Sequence, residues 1–329
     1  MSIASLLSGL AVAAALTAAP ALAAPRVVSD IAPIHSIVAA VMGDLGAPDL
    51  LVPPGTPEHD AALRPSDAAA LDAADVVVWV GPGLTPWLEG PLDALAPGAV
   101  RVTLLDAPGL RLLPRRSGGT FEAHVHGHED EHDAQGHDAH GHDEHGHDEH
   151  GHEDEAGADP HVWLDPENAA VIATTVAEAL AAADPANAAE YRANAAAFGA
   201  ETAALTARLA TGLAAAQGRT FVVFHDAYRY FEHRFGFAAA GAISANDAAP
   251  PSAARIAEIR ALVVDAGAIC VFSEPQFDQG LVATVIEGTP ARAGVLDPLG
   301  VGVEPGPGLY PALLARLAGG MIGCLAPPA

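Results

Sequence analysis

Between Pro114 and Asp159 the chain loses every trace of apolar periodicity, and this gap constrains its fold more than any other feature. Part of the interval reads GHDAHGHDEHGHDEHGHEDE, a five-residue unit of Gly-His-Asp-x-His that ends in acids. A period of five matches neither the 3.6 of a helix nor the 2 of a strand, so no face of either could stay apolar. Such a segment cannot contribute to a core, and it is expected to be disordered without metal. The chain must therefore bury its apolar surface in the blocks on either side.

Both blocks alternate short β-rich runs with helical segments. In the first, Arg26–Val28, Leu50–Val52, Val76–Val80 and Val100–Leu105 read as strands, with helices over Ile34–Met42 and around Pro65–Leu71. In the second, strands are expected at Thr220–Phe224, Phe237–Ala242, Ile269–Phe272 and Ala293–Val295. The helices between and after them are placed at Ala227–Arg234, Ser252–Asp265, Phe277–Ile286 and Tyr310–Leu317. Continuous apolar strands separated by helices indicate α/β lobes with parallel sheets. Between the blocks, Asp165 is a good N-cap and Pro166 suits the first helical position. An Ala-rich helical stretch follows, restarts at Asp184-Pro185 and continues to about Ala215, as a connecting element would. The expected division is 1–23 leader, 24–165 first lobe with the gap at about 115–159, 166–217 connecting helix, and 218–329 second lobe.

The leader contains an apolar run, Leu6 to Leu16, ahead of Ala21-Leu22-Ala23, although no basic residue precedes it. This pattern reads as an export signal cleaved to leave a chain starting near Ala24. Ser8, Thr17 and Pro20 interrupt the run, which argues against a membrane anchor. In an exported chain the two cysteines, Cys270 and Cys324, favour a disulfide.

The formal net charge is −26, and half of it comes from thirteen acids between Glu122 and Glu155, where no Lys or Arg occurs. Nucleic-acid binding, which needs clustered basic residues, is excluded on this ground, and cations are the natural partner. Eleven of the sixteen histidines lie in the same interval: His124, His126, His128, His132, His137, His140, His142, His145, His147, His150 and His152. Interleaved with acids and lacking preorganisation, they are read as weak auxiliary metal sites that raise the local concentration of a metal ion.

Five histidines remain, and three stand where ligand sites form in parallel sheets, beyond the carboxyl ends of strands. His59 follows Leu50–Val52 in VPPGTPEHD, His225 ends TFVVF, and His161 opens the connecting helix. Asp297, in GVLDPLG, follows the last strand, and Glu58 adjoins His59; either could supply an oxygen. Three imidazoles and one carboxylate make a good shell for Zn²⁺. His35 and His233 are read as structural. Glu274 is placed in the second lobe's structure or the cleft wall, Trp163 packs beside the site, and Arg64 and Asp67 form a salt bridge near the His59 loop.

PEHDAALRPSD, HVWLDP, FHDAYRYF, FSEPQF and LDPLG together closely resemble the zinc-binding solute-binding proteins of bacterial ABC importers, the ZnuA-like group. The resemblance runs from Val27 to the C-terminus. It implies two Rossmann-like lobes joined by a long rigid helix, with zinc held in the cleft by His59, His161 and His225. Glu58, Asp297 or water would complete the shell. It also implies a Cys270–Cys324 disulfide, a periplasmic location, delivery of Zn²⁺ to a membrane permease, a monomeric state and no enzymatic activity. Manganese-binding relatives usually carry a carboxylate at the place of His225, and an imidazole there favours Zn²⁺. Three alternatives remain: a manganese-binding relative, a periplasmic zinc buffer or chaperone, and a zinc hydrolase. No HExxH or other recognisable zinc-hydrolase signature accompanies the last.

Overall fold

The computed structural model describes residues 24–116, 120–121, 157–244 and 251–327. The leader (1–23) and all eleven histidines from His124 to His152 lie outside these ranges.

The first block folds as a parallel sheet of β1 (Val27–Ser29), β2 (Asp49–Leu50), β3 (Val76–Trp79) and β4 (Val100–Thr103), in the order β2-β1-β3-β4. β1 and β3 are buried at every position, whereas β4 at the edge exposes Val100 and Arg101. That contrast explains the unbroken valine run of β3, since a central strand covered on both faces has no polar side. The helices are α1 (Ala32–Met42), α2 (Pro65–Ala73) and α3 (Glu89–Leu95). The Arg64–Asp67 pair is present and caps α2: Asp67 accepts from Arg64 N at 2.9 Å and from Arg64 Nη2 at 2.7 Å.

Asp165 caps α4 (Pro166–Ala183) by accepting from Glu167 N. The chain breaks at Asp184, whose carboxylate accepts from Asn187 and Tyr191, and resumes as α5 (Ala188–Leu213). The 26 residues of α5 span about 39 Å at 1.5 Å per residue. The connecting stretch is thus two helices packed along each other, with the Asp184-Pro185 restart as the turn between them.

The second block holds β5 (Phe221–Val222), β6 (Cys270–Ser273) and β7 (Arg292–Val295), parallel and in that order. Around them lie α6 (Arg229–Phe235), α7 (Ala253–Asp265), α8 (Gln279–Ile286) and α9 (Leu309–Leu325). α9 extends eight residues beyond the expected end at Leu317. The expected strand at Phe237–Ala242 is absent as a regular element. An irregular segment instead follows the outer edge of β5, with Ala240 N donating to Phe221 O and Val223 N to Gly241 O. Gly236, at φ 73°, turns the chain out of α6. At Gly241 a Cβ would stand 2.9 Å from Thr120 Cβ and 2.6 Å from Leu262 Cδ2, so the chain can pass there only as glycine.

One apolar cluster runs through both blocks, from Val27, Ile34 and Val78 through Trp163, Ile172 and Phe198 to Phe221, Phe272 and Leu317. α5 lies against both α1 and α9, so the helix pair acts as a shared spine. No helix among the described residues is long and apolar enough to cross a membrane.

Cys270 and Cys324 form the expected disulfide, tying β6 to α9 across 54 positions. Closing a loop of this length in the unfolded chain stabilises by about 4 kcal/mol on entropic grounds. Cys270→Ala/Cys324→Ala is expected to lose that much in urea unfolding followed by circular dichroism. A loss below about 1 kcal/mol would show that the crosslink adds little.

Candidate metal centre

The strands of each sheet run parallel, and polar residues that follow β2, β5 and β6 converge at one place between the sheets. The proline-rich segment after β2 carries Glu58 and His59. Its path is fixed in part by Trp87, whose Nε1 donates to Glu58 O at 2.9 Å. His225 stands after β5, three residues beyond Val222, and Glu274 is the first residue after β6. His161 precedes the short turn Val162–Leu164 that leads into α4.

One ligand atom from each of Glu58, His59, His161 and His225 lies within 4.8 Å of the others. Glu58, His161 and His225 are buried, and His59 is half-buried. The imidazole centroids of His161 and His225 are 5.3 Å apart, and His59 stands 5.5 and 6.2 Å from them.

The hydrogen bonds assign the two nitrogens of each buried ring to different tasks. His161 Nδ1 lies 2.8 Å from Asp159 Oδ1, and His225 Nδ1 lies 2.8 Å from Glu274 Oε1. A carboxylate accepts, so each Nδ1 carries the proton and each Nε2 presents a lone pair. The two Nε2 atoms face each other at 3.3 Å. Nitrogens about 2.05 Å from a tetrahedral zinc lie about 3.3 Å apart. The spacing of this pair therefore fits a shared Zn²⁺.

Asp159 also accepts from His161 N at 2.9 Å, which locks the Asp-Pro-His turn. Burial pushes its carboxyl up to about 6, against the opposing pull of the His161 N–H and of Arg116, Arg115 and Arg229. The Tyr228 phenol is raised well above its ordinary range, first by burial and then by the charges of Glu274, Asp297 and Glu58.

Of the two candidate oxygen donors, the structure brings Glu58 into the cluster and leaves Asp297 out of it. Asp297 Oδ1 accepts from Leu299 N and Gly300 N, both at 3.0 Å, and so shapes the turn after β7. Trp163 packs on His161 at 5.3 Å and donates to Pro298 O, beside the site as expected. His35 Nε2 donates to Pro48 O, His233 is exposed, and neither joins the cluster. Glu274 holds His225 in place rather than merely walling the cleft. Asp159 was missed; an acid two residues before a candidate ligand, in ADPH, was its signal.

Two parallel α/β lobes on a helical spine, with imidazoles converging in the cleft between them, define a metal-binding solute-binding protein. Comparison with known proteins makes the assignment specific. The family model of the periplasmic zinc-uptake complex component A, ZnuA, matches residues 27–321, and the chain belongs to that family. The high-affinity zinc uptake system protein ZnuA of Brucella abortus is 46% identical over 304 residues, covering 91% of each chain. That of Paracoccus denitrificans is 45% identical over 322 residues, 97% of this chain and 98% of its own. A crystal structure of ZnuA superposes with a TM-score of 0.73 at 25% identity, over 92% of this chain and 100% of that one. The periplasmic zinc-binding protein TroA of Treponema pallidum shares the fold, with a TM-score of 0.72 at 21% identity over 92% of this chain and 99% of its own.

Carboxylates behind metal-bound imidazoles fix the tautomer and raise ligand basicity, and losing one typically costs 10–100-fold in affinity. Asp159→Asn and Glu274→Gln are each expected to weaken zinc binding by about that factor in competition with a chromophoric chelator. Unchanged affinity in both would deny these acids the orienting role.

Proposed function

We propose that this chain is the periplasmic zinc-capturing component of an ABC importer, holding Zn²⁺ in the cleft through His59, His161, His225 and Glu58 and passing it to a membrane permease. The observation that carries the reading is the paired commitment of His161 and His225. Both give Nδ1–H to a buried carboxylate and turn Nε2 to one point. Three imidazoles and a single carboxylate favour Zn²⁺ over the harder Mn²⁺, which prefers oxygen ligands. The function needs no reacting group, and Glu58 serves as an oxygen donor rather than a general base. Nanomolar capture requires about 12 kcal/mol of binding free energy, within reach of structural zinc sites of this kind.

The histidines from His124 to His152 act, in this reading, as a weak collector that feeds the cleft. Metal analysis with competitive zinc titration tests the division of labour on two forms, the full chain and one lacking residues 122–155. The shortened chain is expected to keep one tight site and lose several weak ones. His225→Ala in the full chain is expected to lose the tight site, by at least about 100-fold, and keep the weak ones. Manganese retained in preference to zinc would overturn the metal assignment, and loss of the tight site on deletion would overturn the division.

Imidazole binds metal only when neutral, and its ordinary pKa is about 6.5. Affinity at the tight site is therefore expected to be nearly level above pH 7. It should fall with increasing steepness toward pH 5, as successive imidazoles take up protons in competition with the metal. Zinc titrations across that range would register this, and a pH-independent affinity would exclude imidazole ligation.

A further inference from the structure

Two arginines stand side by side on the segment that leaves the first lobe, and they face opposite ways. The Pro114–Ala158 bridge holds this segment extended, and extended backbone sends successive side chains to opposite sides. Arg115 turns toward the first lobe, where Nη2 donates to Gly83 O at 2.8 Å and Nε to Ala158 O at 3.3 Å. Arg116 turns toward the second. Its Nε donates to both Asp226 oxygens at 3.0 and 2.9 Å, and Nη2 also reaches Asp226. Nη1 and Nη2 donate to the two oxygens of Glu232 at 2.8 and 3.0 Å. The Phe121 ring covers the guanidinium at 4.1 Å.

This is not a surface ion pair. The Arg116 side chain is 17% exposed, and those of Asp226 and Glu232 are 9% and 4%. Glu232, on α6, is itself anchored by accepting from Ala239 N at 3.0 Å. Asp226 is the residue immediately after His225. A guanidinium that engages two buried carboxylates by both edges sets their positions in a plane, which a lysine's point charge does not do.

The two lobes divide the centre unevenly. Glu58, His59 and His161 come before the helical spine and His225 comes after it, so the placement of His225 depends on what ties its turn to the first lobe. We propose that Arg116 is a positioning residue for the metal centre. Held by the first lobe, it grips Asp226 and so fixes the turn that presents His225 to His59 and His161. The proposal rests on the reading of His225 as a zinc ligand.

The test uses the full chain, with Arg116→Lys, Arg116→Gln and Asp226→Asn, and with Arg192→Gln at the exposed Arg192–Glu178 pair as a control. Two quantities are read: the slow phase of zinc release to excess chelator, and the visible absorption of the cobalt-loaded protein, which reports ligand geometry. Arg116→Lys keeps a buried positive charge and is expected to fold with a melting temperature near that of the parent. It should nevertheless speed the slow release about 10-fold and shift the cobalt band. Arg116→Gln and Asp226→Asn should do so at least as strongly, and Arg192→Gln should do neither. An Arg116→Lys protein that matches the parent in both release rate and cobalt spectrum overturns the proposal. A lowered melting temperature in the Arg116 variants without either change also overturns it, by reducing the residue to a structural brace. His225→Ala is measured alongside: a slow phase that survives there fails the ligand reading itself. Its loss there, with unaltered Arg116 variants, fails the positioning role alone.

Discussion

An imidazole serves a metal only through a nitrogen that carries no proton, and the cleft is organised around meeting that condition twice. At His161 and His225 the proton is drawn to Nδ1 by Asp159 and Glu274, so that Nε2 is left to face the centre. Each acid is in turn held by the fold. Asp159 N donates to Leu113 O, and the Tyr230 hydroxyl donates to Asp159 O. Glu274 follows directly from β6, whose register on β5 and β7 places it, and whose first residue is tied by disulfide to α9. A line of cause therefore runs from strand pairing and a covalent crosslink to the tautomer of a ring.

The same arrangement stores an electrostatic imbalance. Glu58, Asp159 and Glu274 are all at most 2% exposed, and Asp159 and Glu274 each accept from the Nδ1 of a neighbouring imidazole. Burial penalises such charges, as the raised carboxyl of Asp159 and the raised phenol of Tyr228 register. Arg115, Arg116 and Arg229 offset part of this for Asp159. A divalent cation at the convergence of the Nε2 atoms would offset far more. Part of the affinity of such a centre thus comes from relieving charge that the fold has already buried, and only part from the metal–ligand bonds.

The lobes were legible in the sequence because their determinants are local: valine runs for central strands, Asp165-Pro166 for a helix start, Asp184-Pro185 for a break. The positions of His59, His161 and His225 were legible for the same reason, since each lies just past a readable element. What escaped depends on contacts between distant residues. Phe237–Ala242 has strand composition, but the outer edge of β5 and the passage of Thr120 past Gly241 leave it irregular. Glu274 orients a ring 49 positions away, and Arg116 acts on residues 110 and 116 positions away. No periodicity encodes such a distance. The choice of Glu58 over Asp297 as the oxygen in the cluster is likewise a matter of tertiary placement, because both follow strands and both adjoin prolines.

The ends of the histidine-rich interval carry an argument that does not depend on what lies between them. Thr120 is fastened to the second lobe, its carbonyl accepting from Ala242 N and from Arg255 Nη2. Gly157 returns to the first lobe, accepting from Arg115 N, four residues before His161. The interval is therefore pinned to the second lobe at one end and to the first lobe, four residues before His161, at the other. A binding segment tethered this closely presents its cargo at an effective concentration of about millimolar, whatever the concentration outside. Were the repeat the proposed collector, weak sites would suffice under that condition, because zinc leaving any of them would remain tethered to the same chain as the centre. Tight sites would compete with the cleft for the same ion. In the proposed division of labour, the low preorganisation expected of the repeat, which would disqualify it as the capture site, would suit it to supply one.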